Sequence, residues 1–329
     1  MPSPIPRVEL AYAPTPLLKL ERLSADLGIE LWVKRDDLTG LLESGNKIRK
    51  LEFLFGEALA QNADTVVTAG TADANAPRAV AAVAARLGMR AVIAIKGAPP
   101  AEYDGNFLLT RLLGARVRYC HDAEWGAIDT IVQDLAAEIR AGGGTPYVIP
   151  EGADGVAGAL GYLVCGQELA EQVRHGAPEF DTVAIAAFGG GSQAGLLMAQ
   201  QLTGLRAEIV SIPVARAAGE VQAHVTRLIG EAHARYALDV KPPDHVGIID
   251  GCQGREDLEL VVRVARREAL VLDPVATGPA FAGLLAQLER EPGSLGQRIC
   301  FVHTGGIFGL FPFRERLASR IDADPLIES

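Results

Sequence analysis

The feature that most limits how this chain can fold is a repeated alternation of short apolar runs and longer helical ones. The runs "TVVTAG" (65–70), "AVIAIKG" (91–97), "TVAIAAF" (182–188), "EIVSIPV" (208–214) and "RICFV" (298–302) are rich in β-branched residues and nearly free of charge. Stretches with helical periodicity lie between them. "APRAVAAVAARLG" is one: Pro77 suits a first helical turn and Gly88 the residue just past the end. Further helices are predicted over 106–113, 124–141, 158–174, 218–236, 256–268 and 279–290, with "LVLDPVATG" (270–278) continuing the alternation. Continuous apolar strands joined by helices are the pattern of parallel sheets covered on both faces. The fold class is therefore α/β, doubly wound. There are more strands than one sheet holds comfortably, so two α/β units are expected. No Pro/Gly/Ser-rich linker separates them.

In such sheets ligands bind beyond the carboxyl ends of the strands. Three strand ends carry unusual residues: "TAGTADANAPR" (68–78), "FGGGSQAG" (188–195) and "HTGG" (303–306). Charge narrows what they would bind. The net charge is −10 and no long basic run occurs, which argues against nucleic acid. The N-terminus "MPSPIPRVELAYAPTP" lacks the basic-then-apolar order of a secretory leader, and no uninterrupted apolar stretch is long enough to span a membrane. A cytoplasmic protein is expected. Cys120, Cys165, Cys252 and Cys300 are too dispersed for a disulfide framework or a zinc site, so reduced, buried thiols are expected. The six histidines show no metal or triad spacing, and His303, the one near a strand end of interest, reads as a hydrogen-bonded core residue. No metal is expected.

In "AIAAFGGGSQAGLLMAQQL" an apolar strand runs into three glycines, Ser192 and a helix. Glycines let a ligand approach the backbone, and a helix N-terminus offers unpaired N–H groups and a positive dipole end. Together they make an anion cradle; the plainer reading is a tight turn. "GGGSQA" formally fits the dinucleotide fingerprint, but the acid expected at the end of the next strand is missing, since Glu208 stands at that strand's start. A Walker lysine is absent too. A cradle for a single phosphate monoester fits best.

The chain holds only six lysines, and two of them, Lys47 and Lys50, lie one helical turn apart in "ESGNKIRKLEFLFGEAL" (43–59). Ser44 or Asn46 is expected to cap the helix beginning there. The positive end of a helix disfavours a cation and so favours a neutral, nucleophilic amine at Lys47. Lys50 reads as a neighbouring charge only. A single-phosphate cradle, an α/β sheet and a lysine after a glycine turn together suggest pyridoxal phosphate.

At this point the residues resemble a known family. "LWVKRDDLTGLLESGNKIRKLEFLFGEALAQNADTVVTAG", with "AAVAARLG" (81–88), "GNFLLTRLLGA" (105–115), "GALGY" (158–162), "GGGSQAGL" (189–196), "VLDPVATG" (271–278) and "FVHTGG" (301–306), is similar to the D-cysteine desulfhydrase and 1-aminocyclopropane-1-carboxylate deaminase family. These are pyridoxal-phosphate enzymes of the tryptophan synthase β fold, fold type II. The likeness covers about residues 15–310 in the family's order. It implies that Lys47 forms the internal aldimine and that Gly189, Gly190, Gly191 and Ser192 hold the phosphate. It implies Asn75 beside the pyridine ring and Thr304 facing the ring nitrogen. It also implies two doubly wound parallel α/β domains: a larger cofactor domain from 1–50 and 152–329, and a smaller one from 51–151. A homodimer acting on a small amino acid would follow.

The substrate side departs from the family's pattern. Where the family reads Gln-Ser-Asn-His, this chain reads Asp73, Ala74, Asn75, Ala76, followed by Pro77. The family's active-site tyrosine and following lysine are also lost, in Ala276-Thr277-Gly278-Pro279. Asp73, Ala74, Ala76, Ala276 and Thr277 are thus the candidate substrate-pocket residues, in a pocket enlarged by the alanines. Glu151 stands on the same rim as a substrate contact or a plain loop acid. Cyclopropane ring opening and racemisation each want a second acid–base group on the face opposite the lysine. β-Elimination or β-replacement needs only one lysine and survives the substitutions best. The alternative is a catalytically altered paralogue that keeps the cofactor for a binding or regulatory role.

Overall fold

A computed structural model of the protein describes residues 5–322; residues 1–4 of the stretch read for a leader lie outside the described residues. In chain order the elements begin β1 (Leu17–Lys19), α1 (Glu21–Leu27), β2 (Glu30–Lys34), α2 (Asn46–Ala60), β3 (Thr65–Gly70) and α3 (Asn75–Arg86). There follow β4 (Arg90–Lys96), α4 (Gly105–Leu112), β5 (Arg116–Cys120), α5 (Asp122–Trp125), α6 (Ile128–Ala141), β6 (Pro146–Val148) and α7 (Val156–Arg174). The remainder comprises β7 (Thr182–Ala187), α8 (Gly191–Thr203), β8 (Glu208–Pro213), α9 (Ala218–Tyr236), β9 (Gly247–Ile248), α10 (Leu258–Glu268), α11 (Thr277–Arg290), β10 (Arg298–Val302) and α12 (Arg314–Asp322).

The strands form a six-stranded sheet, ordered β1-β2-β10-β7-β8-β9, and a four-stranded sheet, ordered β5-β4-β3-β6. Every pairing is parallel except that of β1 with β2 at one edge. The fold is the doubly wound α/β type expected. Both faces of the smaller sheet are covered, because neighbouring residues of β3 point to opposite sides. Val66 joins the main apolar cluster, and Val67 packs with Val132 and Leu135 of α6. The main cluster also takes Ile48 and Leu51 of α2, Leu160 of α7, and Val183 and Ile185 of β7, so it bridges the two sheets.

Three local expectations change. First, β1 and β2 were not foreseen as strands. β2 is bounded by Glu30 and Lys34, and Lys34 is buried by polar partners, donating to Thr15 O (2.8 Å) and pairing with Glu168. Second, the helix expected over 124–141 is broken at Gly126–Ala127 into α5 and α6. Third, "LVLDPVATG" forms no strand: the Asp273 carboxylate accepts N–H groups from Val275, Ala276 and Thr277 and coils the segment into the start of α11.

α2, α7 and α8 stack unusually closely. A Cβ on Gly161 of α7 would lie 2.2 Å from Arg49 O of α2, and one on Gly195 of α8 would lie 2.2 Å from Ala159 O of α7. Only glycine permits that approach. A buried ionic network holds α2 from behind. Arg49 donates to both Asp36 oxygens (2.8 Å each) and to Glu168 Oε2 (2.9 Å), and Tyr162 Oη donates to Asp36 (3.0 Å). Removing one partner of such a network leaves an uncompensated buried charge, which costs about 3–5 kcal/mol. The stack brings the N-terminal turns of α2 and α8 together with the turn that precedes α7.

Candidate active site at the carboxyl ends of the strands

Lys47 sits in the first turn of α2. The side-chain cap expected from Ser44 or Asn46 is not made. Gly45 holds the cap position at φ 99°, and the Asn46 N–H donates to Thr304 O at 2.9 Å. A Cβ at Gly45 would stand 2.7 Å from that same carbonyl. The end of β10 is thus bound directly to the start of α2. Thr39 steadies the turn, its Oγ1 accepting from Gly45 N at 2.9 Å.

Lys47 Nζ donates to Gly152 O at 2.8 Å. Burial, reinforced by the Lys50 charge and opposed by Asp154 and Glu151, pushes the amine down to about 7. A large share of Lys47 is therefore neutral near pH 7, as a nucleophile requires.

Gly190 opens α8 at φ 107°, with Val225 of α9 2.7 Å from where a Cβ would stand. Over its neighbours lies a carboxylate. Asp154 Oδ1 accepts from Gly191 N at 2.9 Å and from Lys50 Nζ at 3.3 Å. His224 Nε2 of α9 lies 3.4 Å from Asp154 Oδ2, an ion-pair separation without hydrogen-bond geometry. The loop therefore does hold an anion, one supplied by the chain itself. Burial would raise the Asp154 pKa, but Lys50 and His224 outweigh it and hold the carboxyl well below the usual range. Ser192 is buried in the first turn of α8.

Asn75 opens α3 with its side-chain oxygen buried and without a hydrogen-bond partner. Such orphans are uncommon and mark a place where a partner fits. Thr304 is buried where β10 ends. Asp73 is exposed, Ala74 half-buried and Ala76 buried. Pro77 packs against Gly70, whose Cβ would lie 2.8 Å from its Cγ.

One expected pocket residue has its hydroxyl engaged within its own turn. Thr277 is fully buried and its hydroxyl is spent on Asp273, donating to Oδ2 (2.7 Å) and accepting from Asp273 N (2.7 Å). It builds the turn and has no donor left for a substrate. Ala276, just before it, is half-buried. His303 is a buried core residue as expected. Its Nδ1 accepts from Gly305 N and its Nε2 faces Val271 O, and burial lowers its pKa.

Sequence reasoning missed four contributors. Lys50 was read as a neighbouring charge, yet it is buried with its amine in the cradle. The spacing that puts Lys50 one turn after Lys47 was the available signal. Asp154 had a signal too, an acid between glycines in "EGADG". His224 had none. Arg78 is fully buried, donating to Asn106 Oδ1 (2.8 Å), Ser44 O (3.0 Å) and Leu42 O. It ties α3 and α4 to the turn before Lys47.

Residues 8–305 match the family described as pyridoxal-phosphate dependent enzyme. The chain belongs to that family. It is 36% identical over 325 residues to the D-cysteine desulfhydrase of Serratia proteamaculans, covering 95% of this chain and 97% of that one. It is 37% identical over 322 residues to a Pyrococcus abyssi protein provisionally named 1-aminocyclopropane-1-carboxylate deaminase, covering 96% of each. A solved structure described as an ACC deaminase homologue superposes with a TM-score of 0.87 at 35% identity over 96% of each chain. A fungal L-serine ammonia-lyase from Rhizomucor miehei shares the fold, with a TM-score of 0.66 at 15% identity over 95% of this chain and 99% of that one. This is the fold type II architecture, and the cofactor is pyridoxal phosphate.

The site fits that cofactor. A pyridoxal-phosphate dependent enzyme needs an amine that is partly neutral at working pH, an anion cradle, and a polar contact for the ring. Lys47 is such an amine. The Gly189–Gly191 loop with Lys50 already binds a carboxylate, and Asn75 carries the unpartnered oxygen. Among the described residues no helix is long and apolar enough to cross a membrane, and no cluster of potential metal ligands occurs.

Proposed function

We propose that the chain is a pyridoxal-phosphate dependent lyase of the desulfhydrase or deaminase kind, acting on a small amino acid by β-elimination or β-replacement. Lys47 is the amine that bonds the cofactor's aldehyde carbon. The observation that carries this reading is a lysine amine pushed down to about 7 at the start of a helix, one turn from a cradle that holds an anion. The cofactor, when bound, supplies an electron sink for charge developing at the substrate's α-carbon.

The chain's part is to hold and to move protons. Gly189, Gly190, Gly191 and Ser192 grip the phosphate together with Lys50, and Asn75 and Thr304 contact the ring. Lys47 Nζ, neutral in a large share of molecules near pH 7, takes the α-proton and returns a proton to the departing group. Asp73, Ala74, Ala76 and Ala276 line the substrate side, and the alanines leave room for a side chain larger than that of cysteine. Residues 51–151 act as the smaller domain, although α2 runs unbroken through the boundary at residue 50. A cytoplasmic homodimer belongs to the same reading. Full-length likeness to proteins named as enzymes does not favour the binding-only alternative.

The test is spectroscopic and then chemical. Purified protein should carry the visible absorbance of lysine-bound cofactor, and Lys47→Ala should lose it. Retention of that band in Lys47→Ala removes Lys47 from its role. Profiling D- and L-amino acids for released ammonia, keto acid or sulfide then identifies the substrate. If no amino acid perturbs the band, the lyase reading gives way to the binding-only one.

A further inference from the structure

The cradle's present occupant does not belong to any cofactor. The Asp154 carboxylate fills the space directly over two of the three loop glycines: a Cβ on Gly189 would lie 1.7 Å from Oδ2, and one on Gly191 would lie 2.0 Å from Oδ1. It takes the Gly191 N–H and the Lys50 amine, and its Oδ2 lies 3.4 Å from His224 Nε2. A phosphate held by the same loop needs that N–H and that cation. The seated carboxylate occupies the space over Gly189 and Gly191 and takes the Gly191 N–H, so it and a phosphate bound at that spot exclude each other.

The backbone around Asp154 shows how it would leave. Gly152 and Ala153 both have left-handed φ, 67° and 56°, and Gly155 follows. A non-glycine residue in that region is strained. Gly152 O is also the acceptor of the Lys47 amine. The turn 152–154 is therefore anchored at two points, Lys47 and the cradle, and the cofactor uses both.

We propose that Asp154 is an internal competitor for the cofactor phosphate, and that the turn Gly152–Asp154 is a placeholder which withdraws when phosphate and aldehyde take its two anchors. Resting on the cradle assignment above, the proposal names what sets the cradle's affinity. The carboxylate stays ionised through the neutral range, because Lys50 and His224 outweigh its burial, so it makes room by moving and not by taking up a proton. A site that is competent only in a fraction of molecules binds more weakly by that fraction. Asp154 therefore lowers the apparent affinity for any phosphate ligand.

The experiment uses the full chain freed of cofactor, titrated with inorganic phosphate and separately with pyridoxal phosphate, in wild type, Asp154→Ala and Asp154→Asn. Both variants should bind both ligands more tightly, by about tenfold or more for Asp154→Ala. Asp154→Asn keeps the shape and an acceptor oxygen, so its gain should be smaller. Without ligand each variant should melt earlier than wild type, since the seated contacts are lost. With phosphate each should be raised more than wild type. A merely structural Asp154 would lower the melting point and leave phosphate affinity unchanged or weaker, and that result overturns the proposal while leaving the cradle intact. If wild type and both variants alike ignore phosphate and cofactor, the cradle reading falls, and the placeholder falls with it.

Discussion

Between α2 and α8 the polar groups converge on one point: Lys50, His224 and the Gly191 N–H surround a single carboxylate, and Lys47 lies on the same turn. Across the site, in the loops after β3 and before α11, they turn away. Thr277 is spent on Asp273, Arg78 on carbonyls and Asn106, and Asn106 Nδ2 on Asp73 O (2.7 Å), while Ala74, Ala76 and Ala276 bring no polar side chain. One side is built to hold charge and the other to hold shape. On the function proposed above, the first side would capture a phosphate and an aldehyde and the second would take the substrate. The difference also makes the two sides respond differently to substitution.

The largest expected effect is at the seam of the first side. Gly45→Ala introduces a left-handed φ penalty and drives a Cβ to 2.7 Å from Thr304 O, a backbone atom that cannot yield. A loss of about 2–4 kcal/mol is expected, read as a fall in the denaturant midpoint, with cofactor binding weakened in parallel. A variant as stable as wild type would mean that β10 and α2 are not rigidly joined.

Next comes Thr277→Val, which keeps the shape and removes the hydroxyl. With Asp273 N and Oδ2 each losing a partner in a buried turn, about 1–3 kcal/mol of stability should be lost and KM left nearly unchanged. The reverse outcome, a large KM shift at full stability, would return Thr277 to the substrate pocket.

These two residues also show what could be read in advance and what could not. The β-branched strands were legible because an apolar run between helices is a local pattern with one physical meaning. The engagement of Thr277 was not legible, because its neighbour Asp273 turns inward, which nothing in the apolar run announces. Lys50 was undervalued because charge on an amphipathic helix reads as surface, whereas the glycines of α7 and α8 bring a partner, Asp154, close enough to bury it. The strand β2 was hidden because Lys34 is buried by Glu168, 134 residues away in the chain.

A third effect is a slope, modest at any one pH. Lys47 sits at about 7 in the folded protein, below the roughly 10.4 of an unfolded lysine. Between those values the unfolded chain binds a proton that the folded one does not, so stability rises with pH across that window. The cost of burying a charged amine is fully present below about pH 7 and disappears toward the unfolded value. One proton limits the slope to about 1.4 kcal/mol per pH unit. Lys47→Met should abolish the difference, measured as the denaturation free energy of cofactor-free protein from pH 7 upward. An identical slope in Lys47→Met would assign it to another group and weaken the case that Lys47 is unusually neutral.

The smallest effect tests the second side directly. Ala276→Val adds two carbons at a half-buried position, where surface-type substitutions usually change stability by less than about 0.5 kcal/mol. Its consequence should lie in substrate choice. If the alanines are there to make room, the larger of two accepted amino acids should lose kcat/KM by about threefold to tenfold while the smaller loses none, since a methylene of misfit is worth about 1–3 kcal/mol at full contact and less where contact is partial. Equal losses for both substrates would place Ala276 outside the pocket. The enlarged side of the site would then have to be sought around Ala74 and Ala76, where α3 begins beside Asn75.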